Sequence, residues 1–529
     1  MKKLLVAAMV ALSIIGLSAC KGGDDGLDTE VAGEIDLVTW AGNDIRYLNI
    51  GQQNFLPEDL TSKKVASIFA TAKAFNEIYP NVKINYYGKP AGPDDGGVVW
   101  DQTLANYKDK YDVYPAVFAI SDTVALLKQG VLADLSIYED DDLYQTLNPG
   151  LLEQANYYGM QAALPGYFIP SGMFINPGII TDEFLDEVSP DWTFDEFTDL
   201  VTNGEGLDDG YSGLGALPST WMKQMFIYDA LYDFGEVDLN TQEVKDFLSD
   251  GMEVWNDYQF YSHEEDYQSV YQSWSINAFS AGVVTVYPED AWYLDAFAIQ
   301  EGTLPGPEGF DVYPYPDYNG RGNTISTVTD PLGVYNYCND DGNPECNEEE
   351  QLKLDIAYEF ASFMIADTRA WKARAEVEYG EIDTDGNLTV LTGAADASLP
   401  VTVGDAFNEQ LAYWYQIGSN GYYEDKEGFN AVLDIIRSGE VKAISDKVYP
   451  WFFTDETTET RQMIFEEFWF FYDVDETPIS APEWQDLIFS KLDSWTDLFN
   501  DRLALAWTEI ENALVDYYGY DTDDARFSE

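Results

Sequence analysis

Cys20 closes the run Leu17-Ser18-Ala19-Cys20, and its surroundings assign it a chemistry. Lys2 and Lys3 precede an apolar run from Leu4 to Ile15, broken only by Ser13, and small residues follow. This is the layout of a secretory signal peptide, too short for a spanning helix with ordinary flanks. Leu-Ser-Ala-Cys has the form of a bacterial lipobox, in which the cysteine receives a diacylglycerol and becomes the new N-terminus. The other two cysteines, Cys338 and Cys346, flank Asn339-Asp340-Asp341-Gly342-Asn343-Pro344-Glu345. Outside the membrane such a pair reads as a disulfide closing a small loop. A metal site is the other reading, but no second cysteine pair or histidine cluster accompanies it. The single histidine, His263, cannot build a zinc site of the usual type. It leaves no His-based nucleophilic catalysis unless it is itself the base, and it reads as incidental.

Carboxylates are the remaining chemistry. Asp383-Thr384-Asp385-Gly386-Asn387 has the start of a calcium loop without the bidentate Glu at the expected spacing. It reads instead as a hairpin turn, for which Asp-Gly is a strong signal; Asp340-Asp341-Gly342-Asn343 is similar. Ser121 and Asp122 end an apolar run where a helix begins. They are good caps, and they also lie where open α/β sheets bind ligands, outside the carboxyl ends of strands.

The elements that must hold these residues follow from the patterning. Ile35-Asp36-Leu37-Val38-Thr39-Trp40 reads as a buried strand, and Lys63 to Tyr79 as an amphipathic helix ended by Pro80. Val82 to Tyr87 reads as a second strand, and strand, helix, strand implies a parallel sheet. Tyr111 to Ile120 holds a third strand. Gly159 to Asn176 is dense in Pro, Gly and aromatics and reads as a crossing between lobes, with a second at Phe310 to Pro316. Ala281 to Tyr287 is strand-like, and Asp355 to Ile365 carries one apolar helical face. Trp484, Leu487, Ile488, Leu492, Trp495, Leu498 and Phe499 recur at helical spacing in a mostly helical last quarter.

Charge narrows the partners. The net charge is -69, from 96 acidic and 27 basic residues, so the basic footprint that nucleic acid needs is missing. An anionic membrane would repel the body as well. The acidity reads as a solvated surface suited to salt. With 46% hydrophobic residues the chain is globular, and 529 residues suggest two domains, with three as the alternative. No apolar stretch after residue 20 is long enough to span a bilayer.

In this order the pieces resemble the extracellular solute-binding proteins of bacterial ABC importers, in the carbohydrate-binding branch that includes maltose-binding protein. The resemblance rests on the lipobox and tether, Trp40-Ala41-Gly42-Asn43, and Asn76 to Ile84. It continues through Ser121-Asp122, Gly130 to Leu135, and Ala163-Leu164-Pro165 with Phe174-Ile175-Asn176. Trp192 with Phe194 to Phe197, Phe279 to Gly282 with Trp292, and Ala357 to Met364 complete it. It runs from about Ile35 to Arg374. The segment after about residue 400 is longer and more aromatic than the family pattern, and Pro288-Glu289-Asp290-Ala291 replaces its usual small residue before Trp292.

The resemblance implies an α/β, two-lobed periplasmic-binding-protein-like fold of type II. Each lobe would be a mainly parallel sheet flanked by helices, with an extended helical C-terminal region. The implied division is a signal peptide at 1–19, a lipidated tether at 20–33, an N-terminal lobe at 34–170 and 313–370, and a C-terminal lobe at 171–312 and 371–529. The lobes would close on a sugar or oligosaccharide and present it to ABC permease subunits. The implied protein is a monomer, extracytoplasmic, held to the membrane through the lipid on Cys20 alone, with no cofactor and no catalytic residues. A sugar has apolar ring faces and a rim of hydroxyls, which aromatics and carboxylates or amides meet. By position the ligand residues are Trp40, Asn43, Asp44, Ser121, Asp122, Tyr167, Trp221, Asp290 and Trp292. In the family the Asp122 position often bonds hydroxyls and the Trp292 position often stacks on a ring. A core role is the other reading for the tryptophans. A surface glycoside hydrolase would use aromatics and paired carboxylates too, and a solute-binding fold acting as a sensor or adhesin without a transporter is a third reading.

Overall fold

The apolar run around Leu37 forms strand β1, Gly33–Asn43. The chain continues through a short edge strand β2, Arg46–Tyr47, into helix α1, Lys63–Ile78, and strand β3, Val82–Lys89. Ser62 caps α1 by accepting from the Val65 N–H, and Tyr79-Pro80 ends it. β1 and β3 run parallel, with Ile35 beside Ile84 and Leu37 beside Tyr86. Strand β4, Val117–Ala119, adds to the other side of β1, also parallel. The expected strand–helix–strand unit is therefore present. The structure is a computed structural model. It describes residues 27–43, 46–60, 62–89, 108, 112–120, 122–180, 188–203, 212–214, 219–257, 279, 284–290, 309–339, 346–382, 386–394, 398–418, 421–439, 441, 481–521 and 525–528. Cys20, Asp44, Ser121, His263, Trp292, Asp340 to Asn343 and Asp383 to Asp385 lie outside the described residues.

The rest of the sheet is assembled on β5, Leu164–Ile175, a 12-residue strand within the expected first crossing. Its first part pairs antiparallel with β9, Ser326–Val334, from Leu164 beside Leu332 to Ser171 beside Ser326. Its last part pairs antiparallel with β7, Val284–Asp290, and with β8, Asp311–Tyr313. β6, Ser212–Leu214, lies parallel to β7. The path is β2-β3-β1-β4-β9-β5-β7-β6, with β8 on the end of β5. Parallel strands thus occupy both halves, and antiparallel β9 and β5 join them. The segment Phe310 to Pro316 contributes only β8 there. The strand that reaches β4 is β9, with Leu332 beside Ala119. Pro165 and Pro331 face each other at an irregularity beside Gly166. A proline offers no N–H to a ladder, so a break in register is where a strand tolerates it. A Cβ on Gly166 would lie 2.7 Å from the Asp330 carbonyl oxygen, so glycine alone fits the close approach.

Two apolar cores cover the two faces. Ile35, Leu37 and Ile84 point to one core, Val38 and Tyr87 to the other, as strand alternation requires. Helix α2, Thr123–Leu127, helix α3, Phe194–Asn203, helix α4, Ser219–Phe226, and helix α5, Gln242–Asp257, contribute to the second core. Helix α6, Glu348–Ala366, covers the first core with α1, and helix α7, Thr368–Glu376, follows it. Asn347 and Glu350 form a capping box at the start of α6. Cys338 and Cys346 are joined by a disulfide. The last element is helix α8, Ala481–Tyr518, 38 residues long. Ile488, Leu492, Trp495 and Phe499 of the expected stripe are buried, while Leu487 is exposed. Among the described residues no helix is long and apolar enough to cross a membrane.

A chain with few cations satisfies its inner carboxylates with phenols. Tyr79 Oη donates to Glu359 at 2.8 Å, Tyr138 Oη to Asp355 at 2.7 Å and Tyr358 Oη to Asp141 at 3.1 Å. Burial pushes the Glu359 carboxyl above its ordinary range, and Asp141 and Asp367 add to this against the opposing Tyr79 hydroxyl and Arg369. A raised pKa in the folded state means that protonating Glu359 stabilises the fold. That stabilisation is complete below the unfolded value of about 4.3 and is lost as pH rises through the folded value. Glu359→Gln, which still accepts from Tyr79, is therefore expected to unfold at higher urea than the parent at neutral pH. The advantage should vanish near pH 4 (about the unfolded value). Urea titrations at the two pH values check this, and an equal shift at both would contradict it.

Candidate functional site

Because β1 and β4 are parallel neighbours, their carboxyl ends open on the same edge of the sheet. Trp40 and Asn43 stand at that end of β1, after a break in pairing between Thr39 and Asn43. The chain leaving β4 is fixed by the Ile120 N–H donating to the Pro331 carbonyl at 2.9 Å. Asp122 follows and caps α2, its Oδ1 accepting from the Ala125 N–H at 2.8 Å. The cap is thus a present role of Asp122. Its half-buried carboxylate also borders an open groove of roughly 380 Å³ with Lys128, Arg502 and Leu505.

One strand over, Tyr167 lies beside Asp330. Both line a small cavity of roughly 40 Å³ with Thr71 of α1, Trp371 and Arg374 of α7, and Ser398. The Arg374 guanidinium donates to Thr71 Oγ1 at 3.2 Å and lies 4.8 Å above the Trp371 ring. Trp371 Nε1 is buried and meets no acceptor among the described residues. The space matches one or two water molecules, so it holds a hydroxyl-sized group and not a sugar ring.

Further along β5, Ser171 lies between Asp290 of β7 and Ser326 of β9. Ser326 and Thr327 are fully buried, yet among the described residues Ser326 Oγ and Thr327 Oγ1 have no hydrogen-bond partner. Gln224 of α4 reaches the same place, its Nε2 donating to the Ile325 carbonyl at 2.6 Å and its Oε1 unmatched. Leaving a buried hydroxyl or amide oxygen unmatched costs about 1–3 kcal/mol. Natural folds retain such groups where something else meets them. Tyr167 and Ser171 are four positions apart on one strand, about 13 Å at 3.3 Å per residue, which is the scale of a short oligosaccharide.

The structure also separates residues that the sequence grouped. Trp221 is 1% exposed. It stacks on Tyr315 at 5.8 Å and meets Phe247 and Phe197 edge-on at 5.3 and 5.9 Å. It is core, with no ring face left for a ligand, because the apolar side of α4 turns onto β9 and the 313–318 segment. Asp330, Thr71, Arg374, Ser326 and Thr327 were not singled out from the sequence. The signal available was Ser326-Thr327-Val328-Thr329-Asp330, a polar stretch inside a central strand where apolar alternation is the rule. Among the described residues no group of three or more His, Cys, Asp or Glu side chains is placed to hold a metal ion.

No protein-family model matches the sequence, and no curated protein matches it. Solved structures match over most of its length. An ABC substrate-binding protein from Listeria monocytogenes, in complex with cycloalternan, is 16% identical, covers 90% of this chain and 100% of its own, and gives a TM-score of 0.52. A sugar transporter protein from Rhizobium etli, in an open conformation, is 14% identical over 87% of this chain and 99% of its own, with a TM-score of 0.55. The chain has the two-lobed solute-binding fold of type II. The sugar-binding protein MalE from Xanthomonas citri is similar as well, at 13% identity over 89% of this chain and 97% of its own, with a TM-score of 0.51. In this solute-binding fold, β5 and β9 are the strands on which the two halves meet.

Proposed function

We propose that this protein is an extracytoplasmic receptor that captures a neutral sugar or oligosaccharide between two lobes and passes it to the permease of an ABC importer. The observation that carries the reading is the row of polar side chains along β5 and β9. Ser326, beside Ser171, holds an unmatched oxygen about 13 Å along the strand from the Tyr167–Asp330 pair, and Thr327 and Gln224 hold two more among the described residues. Hydroxyl-rich ligands match such groups, which an apolar ligand would not. Trp40, Asn43, Asp122 and Asp290 are flanking contacts, at or just past the carboxyl ends of β1, β4 and β7, and Asp44, Ser121 and Trp292 are assigned with them from the sequence alone. The solved relatives that bind sugars support the ligand class.

The diacylglycerol on Cys20 is the membrane attachment, since two acyl chains anchor stably without basic residues. The lobes comprise 34–170 with 313–370 and 171–312, the chain from 371 onward packs on both, with Arg374 on Thr71 of the first, and the protein acts as a monomer. Equilibrium dialysis against labelled neutral oligosaccharides tests the reading: saturable binding, with the ligand recovered intact, is expected. Shortened products that disappear when a carboxylate is replaced would make the protein a hydrolase instead.

A further inference from the structure

α8 touches both halves of the molecule on the same face of the sheet. Its first part belongs to the β6–β7 side. Gln485 donates to Ser249 Oγ at 2.8 Å, and the Leu239 N–H donates to Thr496 Oγ1 at 3.0 Å. Asn500 accepts from the Val237 N–H at 2.8 Å and donates back to the Val237 carbonyl at 2.9 Å. Its second part belongs to the β1–β4 side. Lys128 pairs with Glu509 at 2.5 Å, and Tyr518 Oη donates to the Leu132 carbonyl at 2.8 Å. At 38 residues the helix is roughly 57 Å long, enough to grip both halves at once.

A second observation marks the same junction. Trp507 packs edge-on against Phe234 at 5.1 Å, and Phe234 stacks on Tyr158 at 4.1 Å. Phe234 precedes α5, whereas Tyr158 lies in the small hairpin of Asn156–Tyr157 and Met160–Gln161 beside Asp134. Both aromatic residues have left-handed backbones, with φ of 50° at Phe234 and 52° at Tyr158. Bulky side chains avoid this region, and structures that hold them there over-determine the position. Two such residues face each other where the halves touch.

We propose that α8 is a brace between the halves: it fixes their relative angle, and the Tyr158–Phe234 stack is the latch it closes. β5 and β9 alone would leave the halves free to bend about the sheet. With α8 docked on both, bending must either bow the helix or release its grip around Lys128 and Leu132. The groove between α2 and α8 lies along that grip, so the seam is open at one side. The brace does not depend on which solute binds.

The test needs no ligand. Spin labels at Lys73→Cys on α1 and Asp195→Cys on α3, both exposed positions, report the distance between halves in the full chain. Cys338 and Cys346 are bonded to each other and take no label. Ala504, exposed and between the two grips, is the point at which to break the helix. Ala504→Pro is expected to at least double the width of the distance distribution, while Ala504→Glu leaves it narrow. Lys128→Glu, which sets two carboxylates against each other, is expected to widen it less, and adding Glu509→Lys should restore it. Should Ala504→Pro unfold the chain, the Lys128 and Glu509 pair carries the test. An unchanged distribution in a folded Ala504→Pro variant, or a widening by Lys128→Glu that Glu509→Lys does not reverse, would overturn the brace.

Discussion

Sodium chloride is expected to raise the melting temperature steadily from about 0.1 M to about 2 M, an interval in which the Debye length falls from about 10 Å to below about 3 Å. The cause is the net charge of -69 spread over one chain. Like charges at this density repel in the compact state and relax when the chain expands, so screening favours the fold. The described ion pairs give little compensation. Lys353–Glu349, Lys372–Glu376 and Lys128–Glu509 are exposed or partly so, and such pairs contribute at most about 1 kcal/mol. Losing them in salt therefore costs less than relieving the repulsion gains. Tyrosine–carboxylate contacts such as Tyr138–Asp355 are hydrogen bonds from neutral donors, which salt does not screen away. A melting curve that stays flat or falls across this salt range would contradict the account.

Trp221→Ala is expected to cost about 3–5 kcal/mol of stability, as large aromatic truncations in packed cores do. The ring sits among Phe194, Phe197, Phe247 and Tyr315, and its removal leaves a hole that four rigid aromatic neighbours cannot close. Trp221→Phe should recover much of that loss. Had Trp221 stacked on a ligand ring, Trp221→Phe would weaken binding and spare stability. Its place in the core predicts the reverse, with the affinity of the folded variant unchanged. Chemical denaturation and a binding titration on the same two variants separate the cases.

Much of the frame was legible because it obeys simple periodicities. The run at Leu37, the stripe through Phe69 and Phe75, and Val82 to Tyr87 encode a parallel unit by alternation and helical spacing alone. The density of Pro, Gly and aromatics at Leu164 to Ile175 marked the joining strand. β9 escaped because its residues do not look like a buried strand. Ser326, Thr327, Thr329 and Asp330 are polar, and Pro331 interrupts the ladder. The same departure from apolar alternation makes β9 the best pointer to the site. Trp221 opens an apolar helical segment in the sequence, which does not tell a ligand-facing ring from a core one. That Trp221 is enclosed depends on contacts from β9 and the 313–318 segment, far away along the chain. The grip of α8 on Leu132 and Val237 is equally remote, since a stripe of apolar residues says that a helix is covered and not by what.

The claim at the centre is reversible capture of a neutral sugar. Titration calorimetry of the full chain against neutral di-, tri- and tetrasaccharides tests it most directly, with Asp122→Ala and Ser326→Ala as companions. The account predicts one saturable site per chain for at least one of these sugars, weakened at least tenfold (about 1.4 kcal/mol) by either substitution. A chain that binds none of them, but takes up a phosphate-bearing solute such as a glycerol phosphate ester, would contradict it.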